Sequence, residues 1–177
     1  MAYRYLFVLV EGRDDQRFVE EILFPLARPQ YDHMQTYQYA QKTAEQINNL
    51  LTSIANIPGD YLMLADYDDG PCISERKNTL TSRLVKLDSD RVVIAKAEIE
   101  SWYLAGLADD LRELFNIPAF RETEHVTKEQ FNHLIPRQFK SRVDYMVEVL
   151  RRFDLTAAQR GNNSFRYLCT KYSLFAG

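Results

Sequence analysis

The chain has 177 residues, of which 46% are hydrophobic and 27% are charged, so it is long enough for one domain with a substantial core. This composition is ordinary for a globular protein and excludes extensive disorder. No apolar stretch approaches the roughly 20 residues of a membrane-spanning helix, and Met1 leads almost directly into a predicted strand, which leaves no room for a signal peptide. We therefore expect a soluble, cytoplasmic protein without membrane contacts.

The net charge of −3 excludes a protein that binds polyanions over its whole surface, but the charge is unevenly distributed. Residues 125–177 contain nine Lys or Arg and four Asp or Glu, a balance of +5, so residues 1–124 carry −8. This distribution fits an acidic metal site beside a basic, phosphate-binding surface. Basic helices that simply face solvent explain it equally well.

The first hundred residues alternate between short apolar runs and amphipathic helical patterns. Unbroken apolar runs of this length are typical of strands in a parallel sheet covered on both faces, and the alternation predicts an open α/β fold. We predict a first strand over residues 4–10 and then a helix from Arg13 or Asp14, which Pro25 and Pro29 end or distort. A weaker edge strand follows over 34–40, and a capping box over 43–46 opens the next helix. The last predicted elements of this part are a turn over 58–60, a strand over 61–65, a helix over about 74–87 and a strand over 91–95.

The remainder of the chain is predicted to be helical. A helical segment follows from Glu100 and ends at Pro118, and further helices are expected near residues 128–134, 141–153 and 164–172, the last with a capped start over 162–166. We predict an α/β domain for residues 1–105. Residues 106–177 form a helical extension packed on it, unless the whole chain is a single domain.

Acidic residues follow two of the predicted strands. Glu11 and Gly12 end the first strand, and Asp66, Asp68 and Asp69 end the third. Ligands of α/β sheets bind outside the carboxyl ends of the strands, and clustered carboxylates favour a hard cation such as Mg²⁺ or Mn²⁺. The alternatives are a solvated loop acid at Glu11 and an Asx-rich turn at the aspartates.

Two further acids follow the fourth strand. Glu98 and Glu100 precede Trp102, and Glu100 is predicted to complete the metal shell or a second metal site. The alternative is a pair of acids favoured by the dipole of a helix that begins there. Lys96 would neutralise one of these acids or bind a phosphate. Asp14 is interpreted as a helix cap.

The basic C-terminal helices provide the candidate nucleic-acid or phosphate contacts. Besides Lys96, these are Arg142, Arg151, Arg152 and Arg166. Backbone N–H groups beside Arg166 would also bind a phosphate, although a plain helix cap is the favoured reading there.

Several kinds of site are excluded. The three histidines (His33, His125, His133) have no ligand spacing, and Cys72 and Cys169 fit reduced thiols rather than a metal site or a disulfide framework. The chain contains neither a P-loop nor a nucleophile elbow, so it is predicted to be neither a P-loop ATPase nor an α/β-hydrolase.

The segment Val10-Glu11-Gly12-x-x-Asp15 after the first strand, together with Asp66-x-Asp68 after the third, resembles the TOPRIM domain of primases, topoisomerases and OLD-family nucleases. The resemblance implies that Glu11 acts as acid/base or ligand and that Asp66 and Asp68 hold Mg²⁺. As a fold the resemblance covers residues 4–105, so it implies that the predicted α/β domain is TOPRIM-like. Asp15, Asp69 and Glu98 are further candidate ligands, Asp69 through a water.

A second resemblance narrows the comparison. Residues 98–102 and residues 163–165 resemble motifs of a bacterial TOPRIM-like family related to the OLD nucleases. The third acid of the topoisomerase pattern is displaced here to Asp69, and Gly70 takes its place. The chain is also too short for a topoisomerase tyrosine domain or a primase zinc module. The resemblance therefore favours a nuclease or an accessory role.

These observations lead to three hypotheses. The first is a Mg²⁺- or Mn²⁺-dependent phosphodiesterase that cleaves DNA or RNA, with Glu11, Asp66 and Asp68 as catalytic residues, Glu100 as a fourth ligand, and a separate ATPase as a plausible partner. The second is a non-catalytic TOPRIM-like module that binds nucleic acid or a partner within an ATPase–nuclease defence or repair system. The third is a haloacid-dehalogenase-type phosphatase. It is disfavoured because the acidic motif of those enzymes follows their first strand, whereas Asp66 and Asp68 follow the third predicted strand here. The oligomeric state is left open.

Overall fold

The computed structural model of the chain describes residues 3–67 and 72–172. It divides into two compact units, which within the described residues cover 3–94 and 95–172. The domain boundary expected after residue 105 stays a prediction. Within the described residues, no helix combines the length and the apolar character needed to cross a membrane.

Four strands form one sheet in the order β2-β1-β3-β4, and β1 is paired in parallel with both β2 and β3. Five of the six residues of β1 are buried, whereas no residue of β2 is fully buried, as expected for an edge strand. The predicted α/β fold, a parallel sheet of four strands flanked by helices and followed by C-terminal helices, is confirmed. The strands are β1 (Tyr5–Val10), β2 (His33–Gln38), β3 (Gly59–Asp66) and β4 (Val92–Ala95).

The helices of the first unit begin where the sequence predicts. Thr43 Oγ1 accepts a hydrogen bond from Gln46 N, and Gln46 Oε1 accepts one from Thr43 N, so the predicted capping box is confirmed. A π-helical turn over Val19–Leu23 lies ahead of Pro25, in agreement with the predicted distortion. The α-helices are α1 (Arg13–Phe18), α2 (Phe24–Ala27), α3 (Ala44–Ile54) and α4 (Ile73–Arg83), and a 3₁₀ turn spans Ser89–Arg91.

Two of the predicted boundaries are wrong. Gly59 and Asp60 were expected in a turn but open β3, where Gly59 pairs with Tyr5 so closely that a Cβ would lie 2.1 Å from the Tyr5 carbonyl oxygen. The helix expected to reach residue 87 ends at Arg83, yet Leu84 and Leu87 are buried in the core, so their apolar spacing reports burial rather than helix.

The predicted cap at Asp14 is also wrong. Asp14 lies inside α1, where its Oδ1 accepts a hydrogen bond from Arg17 Nη1 at 2.7 Å. The carboxylate that closes the first turn belongs to Asp15, whose Oδ2 accepts a hydrogen bond from Gly12 N at 3.0 Å. Asp15 lies three positions after Gly12, which is the spacing of a capping interaction at the third helical position.

The described part of the second unit is helical. Asn162 caps the last helix through a hydrogen bond of 3.0 Å from Phe165 N to its Oδ1, as predicted. One helix (Leu155–Gly161) was not predicted, because only Ala158 in it is buried and the apolar pattern is correspondingly weak. The helices are α5 (Glu100–Ala105), α6 (Asp109–Leu114), α7 (Lys128–His133), α8 (Arg142–Arg151), α9 (Leu155–Gly161) and α10 (Asn163–Lys171).

Candidate active site at the strand ends

The sheet order brings Glu11 and Asp66 together. Leu9 of β1 is in register with Met63 of β3, and Glu11 and Asp66 follow these partners by two and three residues at the same edge of the sheet. The backbone N–H of Asp66 donates to Glu11 Oε1 over a long 3.4 Å. Asp68 and Asp69 lie outside the described residues, so their predicted roles stay predictions.

Glu11 is held by a tyrosine from the edge strand's end. The hydroxyl oxygen of Tyr39 lies 3.0 Å from Glu11 Oε1 and 2.9 Å from the carbonyl oxygen of Leu64. Burial and the neighbouring charge of Glu11 raise the pKa of the Tyr39 hydroxyl far above its ordinary value, so it keeps its proton and acts as a donor. Tyr39 therefore fixes the position of the carboxylate relative to the end of β3.

Arg76 supplies a positive charge beside these acids. Its Nε donates to the carbonyl oxygen of Asp66 at 3.0 Å, and its Nη2 lies 3.7 Å from Glu11 Oε1. The side chain is 18% exposed, so it is held in place yet accessible to a ligand. The cation lowers the electrostatic cost of holding an acid at the end of β1 and favours a phosphate nearby.

Sequence reasoning missed both Tyr39 and Arg76. Tyr39 directly follows β2, at the carboxyl end where ligands bind, but the strand predicted over residues 34–40 includes it and so hid this position. Arg76 had no such signal, because it lies among other charged and polar residues of α4 and only the packing of that helix places it at the site.

Asp15 supports the loop that carries Glu11. The side chain is buried and accepts the hydrogen bond from Gly12 N, and its burial raises its pKa from 3.8 to about 6, against the opposing effect of that bond and with a further contribution from the charge of Glu11. The structure thus gives Asp15 a role in shaping the turn, and its role as a metal ligand stays a prediction.

Only part of the predicted magnesium site, Glu11 and Asp66 without Asp68, lies within the described residues. Within residues 3–67 and 72–172, no group of three or more His, Cys, Asp or Glu side chains is placed to hold a metal ion. Mg²⁺, however, is often held by only one or two carboxylates together with water and substrate phosphate. Both hydrogen bonds that Glu11 accepts from described residues end on Oε1, so Oε2 is the oxygen that would face a cation.

Glu98 and Glu100 lie in the second unit and are both engaged there. Glu100 is buried at the start of α5 and forms an ion pair with Arg142 of α8. Glu98 accepts a hydrogen bond from the backbone N–H of Lys128 at the start of α7. These contacts give both acids a structural partner, and their predicted roles as metal ligands stay predictions.

The motifs around Trp102 and Ser164 form one buried network in the second unit. Trp102 Nε1 donates to Ser164 Oγ at 2.8 Å, and Ser164 Oγ donates to Asn162 Oδ1 at 2.8 Å. Asn162 Nδ2 lies 3.3 Å from Ser101 Oγ. The buried Glu124, which sequence reasoning also missed, accepts a hydrogen bond from Ser164 N at 2.7 Å. The two motifs therefore hold α5 and α10 together.

Each basic residue that the sequence proposes for phosphate binding has a partner within the described chain. Their roles in binding stay predictions, and binding would have to compete with these contacts. The pairs are Lys96 with Glu124, Arg142 with Glu100, Arg151 with Glu148, Arg152 with Asp110, and Arg166 with Asn163.

Comparisons with known proteins give structural neighbours only. No protein-family model and no curated protein matches the chain. It is similar to the C-terminal region of the Burkholderia pseudomallei OLD protein, with 15% identity, a TM-score of 0.40, and coverage of 96% of this chain and 95% of that chain. It is also similar to the C-terminal region of the Xanthomonas campestris pv. campestris OLD protein, with 19% identity, a TM-score of 0.36, and coverage of 93% and 84%.

At these identities and TM-scores the likeness carries no argument about family or activity, and the TOPRIM assignment stays a prediction.

Proposed function

We propose that this chain is a Mg²⁺-dependent phosphodiesterase that cleaves DNA or RNA. The observation that carries the proposal is the meeting of Glu11 and Asp66 at the carboxyl ends of two adjacent parallel strands. Ligands of α/β sheets bind at this edge, and carboxylate oxygens are the ligands that Mg²⁺ prefers. The resemblance of the surrounding segments to the TOPRIM domain supports the same assignment.

Glu11 and Asp66, with Asp68 as the third predicted ligand, would hold the ion. When bound, Mg²⁺ would polarise the phosphoryl group and lower the pKa of an attacking water. Tyr39 keeps Glu11 Oε1 in place, and Arg76 adds a positive charge for the phosphate. Glu11 would thus act as a ligand or as the group that accepts the proton of the water.

The proposal is tested with plasmid DNA, single-stranded DNA and RNA, each incubated with Mg²⁺, Mn²⁺ or EDTA. The variants Glu11→Gln and Asp66→Asn remove the negative charge but keep the shape of the side chain, and we expect each to lower cleavage by roughly a hundredfold or more. The control is Glu45→Gln, which changes an exposed acid at the start of α3. Cleavage that survives in EDTA, or that falls equally in the control, would overturn the proposal.

A second candidate is a non-catalytic module that binds nucleic acid or a partner ATPase. It is favoured by the contacts of Glu11 with Tyr39 and Arg76, which stabilise the carboxylate without a metal. Calorimetric titration separates the candidates. Mg²⁺ binding that Asp66→Asn abolishes, with no cleavage of any substrate, would favour the module, and cleavage that appears when a partner ATPase is added would favour the enzyme.

A further inference from the structure

A cleft in the second unit carries three arginines, none of which sequence reasoning selected. It has a volume of about 280 Å³. Arg112 lines it from α6, Arg121 from the segment after α6, and Arg160 from the last turn of α9. Three separate segments of the chain thus converge on one concave surface.

The cleft has a surplus of positive charge. Asp109 is the one acidic residue among its described lining residues, and it pairs with Arg112 at 3.0 Å. Arg121 and Arg160 are exposed, and within the described residues neither forms an ion pair or a side-chain hydrogen bond. Such unpaired guanidinium groups have their donors available for an anion, unlike the paired residues Arg142 and Arg152.

Arg112 forms a fixed wall of the cleft. Its Nη2 donates to the carbonyl oxygen of Leu107 at 3.2 Å, and its side chain is only 18% exposed. Its Nε is buried and has no hydrogen-bond partner within the described residues. The ion pair with Asp109 and the hydrogen bond to Leu107 therefore hold the guanidinium group of Arg112 in place.

The floor of the cleft is held in place by the buried network of the unit. Thr123 N donates to the carbonyl oxygen of Gly161 at 2.9 Å, which fixes the backbone two residues after Arg121 and one residue after Arg160. Thr123 Oγ1 in turn lies 3.1 Å from Nδ2 of the buried Asn162. This hydrogen bond holds together the two backbone segments that carry the unpaired arginines, which lowers the entropic cost of binding.

The rest of the lining suits a nucleoside. The half-buried ring of Phe120 lies in the lining beside small apolar residues, and nucleobases stack on such rings. A Cβ placed on Gly161 would meet no atom within 4 Å, so open space lies above this residue. The cleft thus combines two free cations with an aromatic surface and room for a small ligand.

From this geometry we infer that the arginine cleft binds the phosphate of a nucleotide, with Phe120 contacting the base. The nucleotide is either a free mononucleotide or one unit of a single-stranded nucleic acid. The inference goes beyond the proposed cleavage activity, because the cleft contains none of Glu11, Asp66 and Arg76 and needs no metal. Its failure and the failure of the cleavage proposal are therefore separately observable.

The test measures binding of a fluorescein-labelled single-stranded DNA 12-mer, AMP and inorganic phosphate to the intact chain in EDTA, by anisotropy or calorimetry. We expect Arg121→Ala/Arg160→Ala to weaken binding by roughly tenfold or more, because two charge-assisted contacts are lost. The matched control is Arg137→Ala/Lys140→Ala, which removes two exposed cations of the same unit outside the cleft. Equal affinities for the variant and the wild type, or an equal loss in the control, would overturn the inference.

A second variant blocks the cleft without changing its charge. Gly161→Leu places a side chain into the open space above the backbone, and the Thr123–Gly161 hydrogen bond is unaffected because it uses backbone atoms. We expect it to weaken binding as strongly as the double arginine variant, while the fluorescence of Trp102, the only tryptophan, stays unchanged. Undiminished binding would contradict a role for the cleft.

The same series identifies the source of the phosphate. Phe120→Ala should weaken binding of AMP and of the 12-mer but not of inorganic phosphate, since only the first two carry a base. Tight binding of the 12-mer with weak binding of AMP assigns the cleft to a nucleic-acid strand, and comparable binding of both assigns it to a free nucleotide. Binding of inorganic phosphate alone would overturn the nucleotide assignment.

Discussion

The role of Glu100 does not follow from its residue type and its position in the sequence alone. A carboxylate shortly after a buried strand is a chemically suitable magnesium ligand, yet Glu100 begins α5, where it is buried and paired with Arg142. A buried ion pair contributes little net stability, but removing one partner leaves an uncompensated charge in the interior. The ion pair with Arg142 therefore gives Glu100 a structural role, which can be tested by removing Arg142.

We predict that Arg142→Met lowers the free energy of unfolding by about 3 kcal/mol, because Glu100 loses its counter-charge. The double variant Glu100→Gln/Arg142→Met should recover part of this loss, because it also removes the buried charge. Urea unfolding followed by Trp102 fluorescence measures both. Arg151→Met is the control on the same helix, since Arg151 is 71% exposed and pairs with Glu148 at the surface, and it should cost less than about 1 kcal/mol.

The outcome also bears on the predicted ligand role of Glu100. If Glu100 holds a metal, added Mg²⁺ should raise the melting temperature of the Arg142→Met variant more than that of the wild type. A variant as stable as the Arg151→Met control would show that the pair has no structural importance.

At the level of elements, opposite ends of the strands serve different purposes. The carboxyl ends carry the candidate active site, whereas a charged network ties the amino ends together. Asp60 at the start of β3 accepts hydrogen bonds from Tyr31 at 2.8 Å and Arg4 at 2.9 Å, and it pairs with Arg91 at 2.9 Å. This network joins β3 to the segments before β1, β2 and β4 and stabilises the sheet away from the site.

The network predicts a pH dependence of stability. Burial acts to raise the pKa of Asp60, but the hydrogen bond from Tyr31 and the charges of Arg91 and Arg4 outweigh it, so the pKa lies below its ordinary value of 3.8. The unfolded state therefore takes up the proton first as the pH falls, so the stabilisation is present at neutral pH and is lost below about pH 4.

We expect Asp60→Asn to lower the free energy of unfolding at pH 7 by about 1–3 kcal/mol, and the difference from the wild type to shrink as the pH falls through the folded-state pKa of Asp60. Urea unfolding at pH 7, 5 and 3 measures this. Glu21→Gln, which changes an exposed acid of the same unit, is the control. A difference that stays constant across these pH values would show that the charge of Asp60 is not responsible.

Elements whose stability is local were predictable from the sequence. Central strands such as β1 are buried on both faces and read as apolar runs, and the capping box at Thr43 involves residues three apart. Helix α9 escaped prediction because Ala158 is its only buried residue and its end is held by the distant Thr123. Glu11 and Asp66 follow from the topology of parallel strands, whereas Arg76 and Arg121 reach their sites through tertiary packing that no local pattern encodes.

At the scale of the whole molecule, the net charge and its distribution determine how the chain can bind nucleic acid. With a net charge of −3, attraction to a polyanion must come from local groups rather than from the overall field. Most candidate basic residues already have acidic partners, which reduces what they offer a phosphate. In the arginine cleft, Arg121 and Arg160 have no such partner within the described residues, so we expect the cleft to contribute to the salt dependence of binding.

The salt dependence of binding has an expected size. If the two unpaired arginines of the cleft each neutralise one phosphate charge of a single strand, the logarithm of the association constant should fall with the logarithm of the salt concentration with a slope of about −1.4, or roughly sevenfold between 50 and 200 mM KCl. In Arg121→Ala/Arg160→Ala neither contact remains, and binding should lose most of this salt dependence. Anisotropy titrations of the 12-mer in EDTA measure both slopes. A variant that binds weakly but keeps the wild-type slope would place the phosphate contacts elsewhere, because the slope counts neutralised phosphates and is insensitive to lost stacking.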